Sequence, residues 1–450
     1  MSSVDDPQWL TFRKYAKRVK KLHGVQARVP LQVKEEFIST LQYCPKTYLP
    51  LLPNVVVLGW TDLAFSASQN SDISLLGYFA GPSVITIRLS FMRWLAYSAA
   101  ELAVLADLPR LCPNVTSFTV ALHSSWDYEP SEEIGSMVIQ WPGLRTLRTC
   151  ALSQSVMDRL FSRRTLESLH IDYSKSSPIY IGTLPDTVRA FTLSSDKPSS
   201  CTTFLKTSHA SPAKIRLLIG MNEREEEADT SEAFSLLPRC VDTSRLLSLT
   251  IEPTSSIVGI PKWCTLRLQE PLVSILVEFR ALQELDLDLL RTAQMSDADY
   301  ERLTASLTQL RSLKLGTSNP SITRLRPVAT VATVIAVLRH CKQLETLHIL
   351  FDGSIPPPES FTSQEGDVAF SEKLEWGVSN HFITRLDVGY TPIQDATIHA
   401  IASCFRSIMP CLVQIEYQDR DEEWRLVQNI LKSYRKGLLP VDGFCLDGIL

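Results

Sequence analysis

One phrase recurs along the chain: an apolar residue, two of any kind, an apolar residue, one of any kind, an apolar residue. It stands at Val115-Phe118-Val120, Leu166-Leu169-Ile171, Leu246-Leu249-Ile251, Leu282-Leu285-Leu287, Leu310-Leu313-Leu315 and Leu344-Leu347-Ile349. At Leu144-Leu147-Thr149 its third place is weakened. Alternating apolar positions over so short a stretch predict a strand buried on one face. Weaker copies lie at Val55-Leu58-Trp60, Val84-Ile87-Leu89, Val188-Phe191-Leu193, Ile383-Leu386-Val388 and Leu412-Ile415-Tyr417. Successive copies begin 22 to 39 residues apart, except for a gap of 58 between Val188 and Leu246, where a degraded copy sits around Ile215-Leu218. About thirteen units result, at a period that predicts a stacked array and not one compact core.

The segments between the phrases read as helices. Ser296 is a candidate cap, with Asp297 and Asp299 in the first turn and Leu303, Leu307 and Leu310 at helical spacing. Val328 to His340 is apolar and follows Pro327, which suits a helix start. Asp395 to Met409 places Ile398, Ile401, Ala402 and Phe405 on one face and stops before Pro410. Strand and helix in alternation predict an α/β solenoid whose crossovers are right-handed, with a parallel sheet on its inner side.

Fragments such as "LCPNVTSFTV", "TLESLHID" and "CKQLETLHILFD" resemble leucine-rich repeats, in the ribonuclease-inhibitor-like branch of that family. The resemblance spans roughly residues 47–450 and implies a horseshoe closed by an N-terminal capping helix. Residues 1–46 are then a helical cap or linker. The chain departs from the family at the place eight residues after the first Leu, where Asn or Cys is usual. Here that place holds residues such as Thr254, Asp352 and Thr391 and never Asn. Ser, Thr and Asp offer oxygens that replace part of an Asn ladder.

Composition narrows the class. The 450 residues are 44% hydrophobic, enough for a long core, and the net charge of −4 gives no general attraction to nucleic acid. No run of eighteen apolar residues predicts a membrane span, and "MSSVDDPQWL" lacks the apolar stretch of a secretory signal. The ten cysteines show no C-x-x-C spacing, and Cys150, Cys341 and Cys404 sit among apolar residues. They read as reduced, buried thiols, which places the protein in the cytoplasm or nucleus. The Asn114-Val-Thr116 sequon then reads as the start of a repeat strand.

Between Trp9 and Leu22 the apolar residues Trp9, Phe12, Tyr15, Ala16, Val19 and Leu22 follow helical spacing, and Arg13, Lys14, Lys17, Arg18, Lys20 and Lys21 fill other places. The cations suit a nuclear-import or phosphate-binding patch, or else the solvated face of a helix over residues 7–23 packed by Trp9, Tyr15 and Val19. The second is the reading taken. The same stretch, W-x-x-F-x-x-Y-A-x-R-V-x-x-L, is similar to the segment that follows the F-box in fungal F-box/leucine-rich-repeat proteins. That resemblance implies substrate recognition in an SCF-type ubiquitin ligase, with a Skp-type adaptor as partner where an F-box precedes. No F-box pattern stands before Trp9, so this chain alone is expected not to bind the adaptor. A stand-alone repeat scaffold is the alternative. Two insertions, 221–235 (acidic) and 352–381 (with Pro356-Pro357-Pro358), read as solvated loops.

No phosphate loop, zinc-protease helix, nucleophile elbow or dinucleotide fingerprint occurs. His340 and Cys341 are neighbours on a helix and point apart. Nothing positive supports an enzyme, and no cofactor or metal is implied. An enzyme with a site in an inter-repeat loop is the remaining rival. The candidate site is the concave face, where the residues flanking the second apolar place point outward. These are Arg88, Arg148, Ser168, His170, Asp172, Glu252, Glu284, Asp286, Asp288, Lys314, His348, Arg385, Asp387 and Glu416. They imply a protein partner, with no nucleic acid and no membrane. The section from Glu252 to Asp288 is acidic and suits a cationic peptide, unless neighbours neutralise it, as Lys314 does if it lies beside Asp286 in the next strand.

Overall fold

The computed structural model describes residues 7–22, 44, 49–61, 73–91, 99–122, 131–173, 182–195, 198–219, 227–253, 266–267, 270–287, 290–291, 295–316, 326–358, 378–417 and 422–436. The chain divides into two compact units, one of residues 1–195 with 207–210, the other of 196–206 with 211–450.

In the first unit the strands are β1 (Lys21–Leu22), β2 (Val57–Thr61), β3 (Thr86–Phe91), β4 (Ser117–Leu122), β5 (Thr146–Cys150), β6 (Ser168–Tyr173), β7 (Gly182–Thr183), β8 (Ala190–Ser195) and β9 (Ser208–His209). All but β7 and β9 form one parallel ladder in chain order, and β7 pairs with β9 alongside. The phrase sets the register. Leu58, Ile87, Phe118, Leu147, Leu169 and Phe191 lie opposite one another in successive strands, and all are buried. Helices such as Ala99–Leu111, Ser131–Val138 and Gln154–Ser162 provide the returns.

The second unit repeats the plan with β10 (Lys214–Ile219), β11 (Ser248–Pro253), β12 (Leu266–Arg267), β13 (Glu284–Leu287), β14 (Leu290–Arg291), β15 (Ser312–Leu315), β16 (Thr346–His348), β17 (Arg385–Gly389) and β18 (Gln414–Tyr417). Here β12 pairs only with β14, and the other seven make the parallel ladder. Leu249, Leu285, Leu313, Leu347, Leu386 and Ile415 stack across it. Each unit is thus a stack of strand-and-return repeats of the leucine-rich-repeat type, with an α/β fold.

Several details differ from the pattern read in the sequence. The degraded copy is Pro212-Ile215-Leu217, since Ile215 pairs with Leu249 and Leu217 with Ile251. The N-terminal helix is Pro7–Ala16 and not 7–23. Past it the chain turns, and Lys21 and Leu22 join the ladder beside Val57 and Leu58. Trp9 and Phe12 pack on Cys44, Leu51 and Leu75, whereas Tyr15, also expected to pack there, is 57% exposed. The helix expected from Val328 starts at Val331, because the Thr330 hydroxyl accepts the Ala332 N–H and caps it. The acidic stretch expected as a loop is helical from Glu227, where Glu227–Cys240 begins, and residues 221–226 lie outside the described residues. The Pro-rich insertion is narrower than expected, since Val378 and Asn380 are already core.

Hydrogen bonds between turns partly replace the Asn ladder. Asn54, Ser83 and Asn114 each precede the first apolar residue of a phrase and donate to Lys17, Pro53 and Pro82 carbonyls of the turn before. On the far side of the strands the Thr391 hydroxyl accepts the Phe351 N–H, and Asp352 accepts from Arg326 at 2.6 Å. Ser296 caps its helix as expected, and Asp299 completes a capping box by accepting the Ser296 N–H.

Candidate functional site

In every strand the residues between the buried leucines face outward, and the parallel register aligns them in rows. In the first unit one row runs Gly59, Arg88, Thr119, Arg148, His170 and Thr192. In the second it runs Arg216, Thr250, Asp286, Lys314, His348, Asp387 and Glu416. The candidate residues are therefore brought onto rows. Asp288 lies outside the described residues.

Most of these charges are spent on one another. Arg148 grips Asp172 through both carboxylate oxygens, at 3.0 and 3.3 Å, and His170 Nε2 stands 3.0 Å from Asp172 Oδ1. Lys314 meets Asp286 at 3.1 Å, as their places in consecutive phrases led one to expect. Arg216 pairs with Glu252, Lys214 with Glu284 at 3.7 Å, and Arg385 with Glu416. The acidic section is thus locally neutralised and offers less to a cationic peptide than its sequence implied. These pairs are mostly solvated and contribute modestly to stability, but they fix the face electrostatically. Arg88 is exposed and pairs with no carboxylate among the described residues.

His348 is the most enclosed of the set. It is 7% exposed, and its Nδ1 lies 2.8 Å from Asp387 Oδ2. The Asp387 carboxylate also accepts the Gly389 N–H. Gly389 needs to be glycine. Its φ is +52°, and a Cβ there would come within 2.8 Å of Leu350 Cδ2. Burial pushes the Asp387 carboxyl up, but the His348 hydrogen bond and charge, the Gly389 N–H and Lys314 outweigh it, and the net shift is downward. At Asp172 burial is again opposed by His170 and Arg148, with the same net direction.

A carboxyl lowered in the folded state stabilises the fold above its ordinary pKa, and that contribution disappears as pH falls through the lowered value. Asp387→Asn is therefore expected to be less stable than the parent at about pH 5. The margin should close below about pH 4. Urea unfolding across that range measures it. A margin that widened between about pH 5 and pH 3 would mean that burial, and not the partners of Asp387, governs the group.

Several other titratable groups do structural work. Asp297 accepts from the Thr330 N–H and hydroxyl and from the Thr333 hydroxyl, tying two return helices together. Glu301 contacts Arg339 and His340, so His340 turns away from Cys341, whose thiol donates to the Leu307 carbonyl. Burial pushes the thiols of Cys201, Cys341 and Cys404 up to about 12, so they stay protonated and are poor nucleophiles near neutrality. Among the described residues no three His, Cys, Asp or Glu converge as a metal site, and no helix is long and apolar enough to cross a membrane. Sequence reasoning passed over a place three residues before the phrase that is buried in most units. There Trp141 Nε1 donates to the Cys112 carbonyl, and Asn380 bridges the Leu344 carbonyl and the Phe382 and Ile383 N–H groups.

No family model and no curated protein matches the chain. Among solved structures it is similar to the leucine-rich repeat-containing protein LegL7 from Legionella pneumophila. That likeness has 12% identity and a TM-score of 0.32, covering 62% of this chain and 97% of that one. It is also similar to an internalin (inlF) from Listeria monocytogenes, with 13% identity and a TM-score of 0.35, covering 91% of this chain and 89% of that one. The repeat fold rests on the strand register described above and draws nothing from these values.

Proposed function

We propose that the chain is a protein-interaction module, and more narrowly the substrate-recognition part of an F-box-type ubiquitin ligase. One observation carries the broader reading. Within each unit, polar side chains are presented in register on one side of a parallel ladder, while the alternate residues form a closed apolar core. Such a surface suits an extended partner better than a small substrate. The narrower reading draws on the Trp9 to Leu22 stretch and its resemblance to the segment after an F-box.

The test is purification of the tagged protein, expressed from its own gene in its own cells. Where an F-box precedes Trp9 in the expressed protein, co-purification of a Skp-type adaptor in stoichiometric amount, together with a protein that becomes ubiquitinated, is expected. A reproducible protein partner without the adaptor would overturn the ligase role and leave a scaffold. Failure to hold any protein would overturn both.

A further inference from the structure

Residues 7–22 carry six Lys and Arg and no Asp or Glu, so the rest of a chain whose total is −4 stands at −10. The structure shows how these cations are displayed. Trp9, Phe12 and Ala16 turn the apolar side of the Pro7–Ala16 helix inward. Lys14, Lys17, Arg18, Lys20 and Lys21 are all exposed, and among the described residues none of the five has a carboxylate partner. Arg18 lies 5.4 Å from the centre of the Tyr15 ring, which is itself in water.

The backbone beneath them is held. The Lys17 carbonyl accepts Asn54 Nδ2 at 2.7 Å, and the Lys20 carbonyl accepts the Val56 and Val57 N–H groups. Leu22 then sits in the ladder. An import receptor that reads Lys17-Arg18-Val19-Lys20 as a free extended peptide would have to strip these bonds away. The cations form a fixed face and not a loose tail. This contrasts with the outward rows of the strands, where most charges are already paired.

We infer that this basic face is a second docking surface, for a short acidic segment of a partner protein. Two observations favour that occupant. Trp9, Phe12 and Ala16 are turned inward, so their apolar surface is not available to enter a lipid surface. The cations are confined to one short stretch of a chain that is otherwise net negative. A long polyanion such as duplex nucleic acid would overrun the patch and meet repulsion, whereas a peptide of a few carboxylates matches its length.

The test uses the full chain with a fluorescent octaglutamate peptide, a single-stranded and a duplex oligonucleotide, and vesicles of phosphatidylcholine with phosphatidylserine. The variant K14Q/K17Q/R18Q/K20Q/K21Q removes charge without touching a buried group. A second variant, K14R/K17R/K20R/K21R, keeps it. The acidic peptide is expected to bind the parent and the arginine variant alike, more weakly at higher salt, and about tenfold more weakly to the glutamine variant. Circular dichroism should show both variants folded. Equal binding of the peptide by the glutamine variant, or tighter binding of an oligonucleotide or of the vesicles by the parent, would overturn the inference. None of these outcomes bears on the Skp-type adaptor, so the ligase reading stands or falls separately.

Discussion

Leu285→Ala is expected to lower the stability of the second unit by about 2–5 kcal/mol. Glu284→Ala, one residue away, should change it by no more than about 0.5 kcal/mol. Leu285 is fully buried and lies between Leu249 and Leu313 in the ladder, each of them equally enclosed. Truncation removes contacts on both sides, and two flanking strands fixed by backbone hydrogen bonds cannot close the gap. Glu284 points the other way. Its ion pair with Lys214 spans 3.7 Å in water. Urea unfolding of both variants measures the contrast. Equal losses would show that the strand face is assigned one residue out of register.

That contrast was readable from the phrase itself, and so was most of the ladder. What escaped has physical causes. Pro212 holds the first apolar place of the β10 unit, and proline reads as a break even where it fills a core position. The β1 strand is two residues long and exists only through its pairing with Val57 and Leu58. Val19 and the Leu22 of β1 fall at the same spacing as the apolar residues of the helix before them, so periodicity alone extended the helix. Thr330 displaced Pro327 as the helix start because its hydroxyl is in reach of the Ala332 N–H, which is a matter of local backbone geometry. The insertion at 352–381 hid Asn380, a core residue, at the end of a polar run.

The candidate face was legible as a set of places and less so as a set of contacts. Asp286 and Lys314 stand at the same place in consecutive phrases, and so do His348 and Asp387. The same rule that found the first pair finds the second. Arg148 and Asp172 are different, because they meet diagonally, with Arg148 opposite His170 and Asp172 opposite Cys150. Only side-chain length and the fork of the guanidinium bring them together. The free cations before β1 were visible in the sequence, but whether they lay on a tail or on a fixed surface depended on hydrogen bonds from Asn54 and Val56.

The end of the second unit carries the other large expected effect. Trp424→Ala should cost about 3–5 kcal/mol. The last strand, β18, has no further strand beyond it among the described residues, and the helix Glu422–Arg435 folds over that end. Gln428 accepts the Ile415 N–H at 3.3 Å. Trp424 is fully buried and stacks on Phe405 at 6.3 Å, with Phe351 edge-on at 6.0 Å. Its Nε1 donates to the Thr391 carbonyl at 2.9 Å, and the Thr391 hydroxyl in turn accepts the Phe351 N–H. One indole thus joins the terminal helix to the two preceding turns, in an array where each repeat relies on its neighbours and an unsealed end exposes core. Trp424→Phe separates the two contributions. It keeps a ring against Phe405 but leaves the Thr391 carbonyl without its donor, which costs about 1–3 kcal/mol. Urea unfolding ranks the variants, and hydrogen exchange of the β17 and β18 amides locates the loss. The expected order is parent, phenylalanine, alanine, with faster exchange in β18 first. An alanine variant within about 1 kcal/mol of the parent would mean that the helix is an appendage and that β18 is sealed by something else.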